Sequence, residues 1–159
     1  MIVIGYQGIG KSSLAGKNNC IDLESGNFWV DGKRSDDWYK MYCNIALHLH
    51  RQGFTVFTSS HQVVRDYFKE IATHAERDCI FVCYPEPYLK DVWIHKLELR
   101  YQETNLEKDY KAWKNAECRY LENIRELETC GFKKIPLETM QYSLAEELEC
   151  AKLRCPENQ

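Results

Sequence analysis

The amino-acid sequence predicts an α/β fold in which helices cover both faces of a parallel β-sheet, giving three layers. The first observation is that short apolar runs alternate with amphipathic stretches along the chain. Such alternation is typical of strands joined by right-handed helical crossovers. The second observation is the run Cys79-Ile80-Phe81-Val82-Cys83, which is apolar at every position. A strand without polar alternation is expected where both faces of a sheet are buried.

The elements before Gly53 follow from local composition. Residues 2–5 predict the first strand, which is followed by a glycine-rich turn and a short helix near residues 11–18. Residues 20–23 predict a second short strand. Apolar side chains then recur at helical spacing from Asp36 to Gln52, and Gly53 ends this helix. The apolar stripe of the helix consists of Trp38, Tyr42, Ile45, Ala46 and Leu49.

The middle of the chain continues the alternation. Residues 54–58 are β-branched and aromatic and predict the third strand. Ser59 or Ser60 is expected to cap a helix that extends to about Ala75, and residues 79–83 form the fourth strand.

Two long helices and a last strand and helix are expected after Pro87. The polar stretch at 102–108 separates the first helix from the second, which extends from Asp109 to Thr129. Gly131 ends the second helix, residues 132–137 form the fifth strand, and Ser143 with Glu146 predicts a capping box for the last helix. The stripe of the first long helix is Leu89, Val92, Trp93, Leu97 and Tyr101, and that of the second is Tyr110, Trp113, Tyr120, Ile124 and Leu127.

Composition excludes several classes of protein. The 159 residues fit one domain, and the hydrophobic share of 44% excludes intrinsic disorder. A net charge of −3 argues against a protein that coats nucleic acid, so no nucleic-acid partner is expected. No apolar run approaches the ~20 residues that span a bilayer, and the N-terminal residues lack the basic region of a signal peptide. These observations predict a cytoplasmic protein without a membrane partner.

The eight cysteines are scattered singly along the chain, and none forms a C-x-x-C pair. A zinc ribbon or a thioredoxin-type redox site therefore has no support. Because no export signal is visible, we expect reduced thiols rather than a disulfide framework.

The strongest motif is Gly5-Tyr6-Gln7-Gly8-Ile9-Gly10-Lys11-Ser12, which matches G-x-x-x-x-G-K-[ST] between the first strand and a helix. The glycines allow backbone N–H groups to surround a phosphate. Lys11 is expected to reach the outer phosphates of a nucleoside triphosphate, and the Ser12 hydroxyl to bind Mg²⁺. The predicted nucleotide-binding residues are Gly5, Gln7, Gly8, Ile9, Gly10, Lys11, Ser12 and Ser13.

On this motif the chain resembles the P-loop NTPases, and its short length and single sheet resemble the nucleoside monophosphate kinase superfamily. Residues 2–14, 21–25 and 56–61 are similar to small nucleotide kinases of bacteriophages and their hosts. The resemblance implies a five-stranded parallel sheet in the order 2-3-1-4-5, a small helical lid, and ATP and Mg²⁺ as ligands. It also implies one kinase-like domain over residues 1–159, with an acceptor-binding region at about 24–52 and a lid at about 96–114.

Asp22 and Glu24 are the candidate acids. The third strand ends in Thr58-Ser59-Ser60, without the aspartate that many P-loop proteins place there for magnesium. Residues two apart on a strand share a side, so both carboxylates can face one crevice. This stretch resembles small-molecule kinases such as shikimate kinase, which implies that Asp22 lies near magnesium and the acceptor and that Glu24 grips the acceptor. The alternative is two solvated loop acids.

The helix after the third strand is expected to carry His61, Gln62 and Arg65 in its first turns. In nucleoside monophosphate kinases the matching region supplies an arginine for the acceptor phosphate and a polar side chain for the base. The resemblance therefore implies Arg65 for the phosphate and Gln62 or His61 for the base or sugar. The alternative for Arg65 is an ordinary arginine on a helix surface.

Aromatic side chains are concentrated between the second and third strands, where the family keeps its acceptor-binding insert. Phe28 and Trp29 lie in a glycine-rich loop and are the better candidates for stacking on a base. For Trp38 and Tyr42, packing of the apolar helix face into the core explains their spacing as well as stacking on a base does.

Lys96 and Arg100 share a helix face, and Lys108, Lys111 and Lys114 follow at near-helical spacing. The resemblance implies that such cations close over the transferring phosphoryl group. Arg100 is the leading candidate because a guanidinium binds phosphate in a bidentate way. The alternative is that these side chains are solvated, and the arginine pair that marks such lids is missing here.

Two functions fit these observations. The first is an ATP- and Mg²⁺-dependent phosphotransferase acting on a nucleoside monophosphate or a nucleoside, with Lys11, Asp22 and Arg100 as its catalytic residues. The second is a regulatory nucleotide-binding ATPase, or switch, without a small-molecule acceptor. The sequence leaves the acceptor and the oligomeric state open, a homodimer being one option.

Overall fold

A five-stranded parallel sheet forms the centre of the protein, whose computed structural model describes residues 1–155. Its strands lie in the order β2-β5-β1-β6-β7, and a separate two-stranded antiparallel hairpin joins β3 to β4. The strands of the described residues are β1 (Ile2–Gly5), β2 (Cys20–Asp22), β3 (Trp29–Val30), β4 (Lys33–Arg34), β5 (Thr55–Ser59), β6 (Ile80–Pro85) and β7 (Lys133–Leu137). When the hairpin strands are left out of the count, the predicted order 2-3-1-4-5 is confirmed.

The helices connect successive strands and pack against the sheet. The first long helix, α2, contacts β5 and β1, whereas α6 contacts β6 and packs along α5. The helices of the described residues are α1 (Lys11–Leu14), α2 (Trp38–Arg51), α3 (Gln62–Ile71), α4 (His74–Arg77), α5 (Lys90–Thr104), α6 (Glu107–Thr129) and α7 (Leu144–Lys152). Every residue of β1 and β6 is buried, so both faces of these central strands are covered, as the apolar run at 79–83 predicted.

The parallel register places the carboxyl ends of several strands at one edge of the sheet. Gly5, the last residue of β1, lies opposite Ser59 of β5 and Cys83 of β6. Asp22, the last residue of β2, lies opposite Phe57 on the other side of β5. The loops that leave this edge therefore lie beside one another.

Several helix boundaries differ from the predicted ones. The helix near 11–18 ends at Leu14, and Gly16 follows with a positive φ of 77°. Neither Ser59 nor Ser60 caps the next helix, because α3 begins only after His61 and ends at Ile71. The predicted break at 102–108 is far shorter: α5 continues to Thr104 and ends at Asn105, whose positive φ of 50° reverses the chain.

Two predicted core positions are wrong. Val92 is 49% exposed and Tyr110 is 42% exposed, although both fall on an apolar stripe. Arg119 leaves the helical conformation (φ −134°) and kinks α6, so a single 3.6-residue period does not describe the whole helix. On the core side of α6, Ala116, Tyr120, Ile124 and Leu127 are buried.

All eight cysteines are free thiols, which confirms the expectation that the chain has no disulfide framework. Six of them are buried, and burial raises the pKa of the Cys43 thiol to about 12. Among residues 1–155, no helix has both the length and the apolar character needed to cross a bilayer.

A capping box that the sequence analysis missed starts α4. The Thr73 hydroxyl accepts a hydrogen bond from the backbone N–H of Glu76, and the Glu76 carboxylate accepts one from the backbone N–H of Thr73 at 2.8 Å. Arg51 of α2 also donates to this carboxylate, at 2.7 Å. The box therefore ties α4 to α2. At the start of α7, Ser143 accepts from the Glu146 N–H, which is one of the two hydrogen bonds of the predicted capping box.

We predict that Thr73→Ala lowers the free energy of unfolding by about 1 kcal/mol, the usual loss for a removed N-cap side chain. Thr73→Ser keeps the hydroxyl and should remain close to the unmodified protein. Urea denaturation of the three proteins measures the difference, and equal losses for serine and alanine would show that the hydroxyl contributes nothing.

Candidate functional site

The loop formed by residues 5–13, here called the glycine loop, leaves the carboxyl end of β1 and enters α1. Gly8 and Gly10 have positive φ values of 82° and 97°, which side chains with a Cβ rarely adopt. A Cβ on Gly5 would lie 2.6 Å from Ile9 Cδ1 and 2.9 Å from Lys11 Cδ. The glycines are therefore required by backbone conformation at two positions and by close packing at the third.

Two side chains from distant parts of the chain and one side chain of the loop itself hold the glycine loop in place. The indole of Trp93 donates to the Gln7 carbonyl at 3.0 Å, and the Tyr142 hydroxyl donates to the Ile9 carbonyl at 2.9 Å. Gln7 itself donates to the Ala112 carbonyl of α6 at 2.7 Å. Sequence reasoning placed Trp93 only in a core stripe and overlooked Tyr142, because nothing local indicates that either one reaches this loop.

Lys11 and the acids lie together at the mouth of the glycine loop. The Lys11 ammonium donates to the Gly5 carbonyl at 3.0 Å. Burial lowers the pKa of Lys11, while the nearby carboxylates of Asp22 and Glu24 oppose that effect. The amine is thus held at the first carbonyl of the loop, close to two negative charges.

Ser12 and Asp22 form the second element of the site. The Ser12 hydroxyl donates to Asp22 Oδ2 at 3.0 Å, which brings together two of the oxygen ligand types that Mg²⁺ prefers. Within the described residues, no group of three or more His, Cys, Asp or Glu side chains is arranged around a common metal position. Ser12 and Asp22 offer two oxygen ligands, and a Mg²⁺ ion held by one or two protein oxygens usually keeps several waters.

A cavity of about 950 Å³ opens in front of the glycine loop. One wall is formed by the end of β2 with Ser25 and Ser59, and the opposite wall by one face of α5 and the start of α6. The α5 wall carries Val92, His95, Lys96, Leu99, Arg100 and Glu103. Val92 and Leu99 are exposed because they face this cavity. The apolar character of Val92 therefore does not mean that it packs in the core, as the helical spacing had predicted.

The cations of the α5 wall are held by aromatic and acidic partners. Lys96 lies 4.1 Å from the centre of the Trp93 ring and donates to the Tyr142 hydroxyl at 3.1 Å. Arg100 pairs with the buried carboxylate of Asp109 at 2.5 Å. Thr104 also donates to this carboxylate, at 2.6 Å.

The three predicted lid lysines separate into two groups. Lys108 lines the cavity and approaches Glu24 at 3.8 Å, so it bridges the two walls. Lys111 pairs with Glu107 and Lys114 with Glu117 on the surface of α6, and neither lines the cavity.

The predicted acceptor residues are only partly brought together. Arg65 is buried, and its guanidinium donates to Glu126 at 2.7 Å and to the Ser60 carbonyl at 2.6 Å. It does not line the cavity. His61 contacts the Ser59 hydroxyl at 2.9 Å and the edge of the Trp38 ring, whereas Gln62 is exposed at the start of α3.

The aromatic residues after β2 form a cluster. Phe28 packs against Trp38 and Tyr42 with ring centres 6.0 and 5.4 Å apart, so it is partly committed to packing. Trp29 is 54% exposed and belongs to the β3–β4 hairpin, which the sequence analysis overlooked. The Asp31-Gly32 pair between two short extended runs is the signal that could have found it.

Comparison with known proteins gives no relative for this chain. No family model matches it, and neither a curated protein nor a solved structure is significantly similar to it. The function proposed below therefore depends on the geometry of the site.

We predict that Gly8→Ala destabilises the protein more than Gly53→Ala does. Both residues have positive φ values, so both variants lose about 1 kcal/mol or more from backbone strain. Only the new methyl group at position 8 would meet a neighbour, Leu97 Cδ2 at 2.8 Å, whereas position 53 is open. Overpacking should cost Gly8→Ala about 1–3 kcal/mol more, measured by urea denaturation. Equal losses would mean that Leu97 moves aside freely.

Proposed function

We propose that the protein is an ATP- and Mg²⁺-dependent phosphotransferase that acts on a nucleoside monophosphate or a nucleoside. The observation that carries the proposal is the meeting of Lys11, Ser12 and Asp22 in front of the glycine loop, at the edge where the parallel strands end. In open α/β sheets, ligands bind in the crevice outside this edge.

The donor nucleotide would bind at the glycine loop. The positive φ values of Gly8 and Gly10 bend the backbone into the kind of concave turn whose N–H groups bind phosphate oxygens. Lys11 supplies the positive charge, and its partner in the present structure is only a neutral carbonyl. A phosphate is a stronger acceptor than that carbonyl, so the ammonium can turn to it.

Ser12 and Asp22 would hold magnesium, and both are oxygen donors suited to it. Bound there with the donor phosphates, the ion would neutralise charge on the group being transferred. Asp22 also faces Lys11, which keeps the charge of the site balanced before nucleotide arrives.

Positioning and charge neutralisation are the main demands of phosphoryl transfer, and the cavity provides both. Glu24 and Ser25 offer polar groups on the wall opposite α5, where an acceptor would face the donor phosphates. Arg100 lies on the α5 wall, and its charge contributes to the electrostatics at Lys11. To reach a phosphate it must exchange the Asp109 carboxylate for the ligand.

Two observations favour the alternative of a nucleotide-binding switch without an acceptor. The end of β5, Thr58-Ser59-Ser60, carries no acid, and both Arg65 and Arg100 are already paired with carboxylates. A radiolabelled ATP screen across nucleoside monophosphates and nucleosides separates the two functions. Transfer to an acceptor supports the phosphotransferase, whereas ATP binding or hydrolysis without transfer supports the switch.

We predict that Lys11→Ala abolishes phosphoryl transfer and leaves the fold intact. The side chain would serve a phosphate, and in the structure it donates its hydrogen bond to a carbonyl of its own loop. The matched control is Lys17→Ala, which removes an exposed lysine six positions further along and should retain full activity. The assay is the same radiolabelled transfer, with circular dichroism as the check on folding. Near-normal turnover by Lys11→Ala would rule out this role for the lysine.

We predict that Asp22→Asn lowers the rate of transfer by about a hundredfold or more, as expected for a lost acid–base or metal-organising group. The amide is isosteric and can still accept the Ser12 hydrogen bond, so packing is retained. The half-saturating Mg²⁺ concentration should rise at the same time, because a neutral amide is a weaker ligand. Asp36→Asn, an exposed acid, is the control for lost charge. If Asp22→Asn keeps its rate and its Mg²⁺ dependence, the metal is bound elsewhere.

A further inference from the structure

The hydroxyl of Tyr42 lies between the ends of β2 and β5 and bridges them. It donates to the Leu23 carbonyl at 2.6 Å and accepts a hydrogen bond from the Ser59 N–H at 2.8 Å. Tyr42 belongs to α2 and is fully buried, so a side chain from the neighbouring layer connects the two strands at this point. Burying a hydroxyl is costly unless it is hydrogen-bonded, and here the group both donates and accepts.

The bridge stands where the next hydrogen bond of the β2–β5 ladder would otherwise form. The ladder pairs Asp22 with Phe57, and the Leu23 N–H donates to the Phe57 carbonyl at 3.0 Å. In a parallel pair, the carbonyl of such a residue accepts from the N–H two positions further along the partner strand, which here is Ser59. The phenol oxygen is inserted between these two groups, and β2 ends at this point.

The bridged residues belong to the wall of the cavity that carries the candidate acids. Leu23 lies between Asp22 and Glu24 in the chain. All three residues line the cavity, and so does Ser59. Burial raises the pKa of the Tyr42 hydroxyl, and the negative charge of Asp22 adds to this effect. The phenol therefore stays protonated and keeps its hydrogen bond to the Leu23 carbonyl.

Neighbouring rings fix the position of the phenol. The ring centre of Tyr42 lies 5.4 Å from that of Phe28 and 5.3 Å from that of Trp38. Both contacts are edge-to-face, an arrangement that aromatic pairs prefer. A phenylalanine could make the same ring contacts, so packing alone does not require a hydroxyl at position 42.

We propose that Tyr42 is a positioning residue, whose hydroxyl holds the peptide between Asp22 and Glu24 where these acids can serve magnesium and the acceptor. The inference rests on the proposed function and adds to it a residue that does not line the cavity and acts through the two acids. Without the hydroxyl, the Leu23 carbonyl and the Ser59 N–H would either pair directly or lose their common partner. Direct pairing would draw the peptide towards β5, and loss of the partner would leave it free to move. Both changes displace the acids.

Tyr42→Phe removes the hydroxyl and keeps the ring, and Tyr120→Phe is the matched control. Tyr120 is also buried, and its hydroxyl donates to the Glu86 carbonyl at 2.9 Å, but neither of these residues lines the cavity. Both variants should be less stable than the unmodified protein in urea denaturation, because each loses a hydrogen bond of a buried hydroxyl. Only Tyr42→Phe should also alter the site.

The first readout is the effect of Mg²⁺ on nucleotide binding, measured by calorimetry with a non-hydrolysable ATP analogue. For each protein, the affinity with Mg²⁺ is divided by the affinity without it. We expect this ratio to fall about tenfold to a hundredfold in Tyr42→Phe, the usual cost of losing a group that orients a metal ligand. The transfer rate at saturating substrates should fall by a similar factor. Tyr120→Phe should retain both values.

An unchanged ratio or an unchanged transfer rate in Tyr42→Phe overturns the proposal, and so does an equal loss in Tyr120→Phe. These results leave the proposed function standing, because they concern the variants and not transfer by the unmodified protein. If the unmodified protein binds the analogue but transfers phosphate to no acceptor, the proposed function fails, and the ratio alone decides the role of Tyr42. An unmodified protein whose binding of the analogue does not respond to Mg²⁺ overturns both.

A measurement on the unmodified protein covers the case in which Tyr42→Phe does not fold. Coupling is reciprocal, so a bridge that favours Mg²⁺ at Asp22 must in turn be favoured by Mg²⁺. The Ser59 N–H should therefore exchange with solvent about tenfold more slowly when Mg²⁺ is added to the complex with the analogue. Val56 is the control within β5, since it is buried and its N–H donates to the Met1 carbonyl at 2.9 Å. Exchange at Ser59 that slows no more than at Val56 overturns the proposal.

Discussion

The parallel pairing of β1 with β5 and β6 is the constraint on which the rest of this structure depends. It fixes Gly5 opposite Ser59 and Cys83, so the glycine loop begins at the same edge at which β2 delivers Asp22. Hydrophobic burial enforces the register, because β1 and β6 are covered on both faces and a slip would break the packing on each side. The contact between Ser12 and Asp22 follows from this pairing and not from any local preference of either residue.

Pairing with carboxylates distinguishes the positively charged side chains that have a structural role from those that hold only neutral groups. Arg65 and Arg100 are matched with carboxylates that are partly or fully withdrawn from water. Removing Glu126 would leave the buried charge of Arg65 unpaired, which is costly. Lys11 and Arg34 hold only neutral carbonyls in the described residues, although both lie in confined surroundings. Lys11 lines the cavity of about 950 Å³, whereas Arg34 does not.

The glycine loop shows which features of the site a local sequence pattern predicts and which it does not. Its spacing predicted the turn between β1 and α1, because positive φ values and close backbone packing leave few alternatives to glycine. The same pattern does not predict that Trp93, Gln7 and Tyr142 hold the loop in place. Their hydrogen bonds join residues about 86 to 133 positions apart in the chain. The predicted helix stripes failed for a related reason at Val92, which is apolar because it lines a cavity and not because it packs in the core.

The sequence by itself determined the α/β class, the five parallel strands and the glycine turn after β1, because hydrophobic periodicity and glycine spacing are local properties of the chain. The order of the strands came from the resemblance and agrees with the structure. Only the tertiary structure decided which arginines are paired with carboxylates, because Arg34, Arg65 and Arg100 are chemically identical until folding supplies their partners. Folding gives Arg65 the carboxylate of Glu126 from 61 residues away, and it places the Arg34 guanidinium against two tryptophan rings.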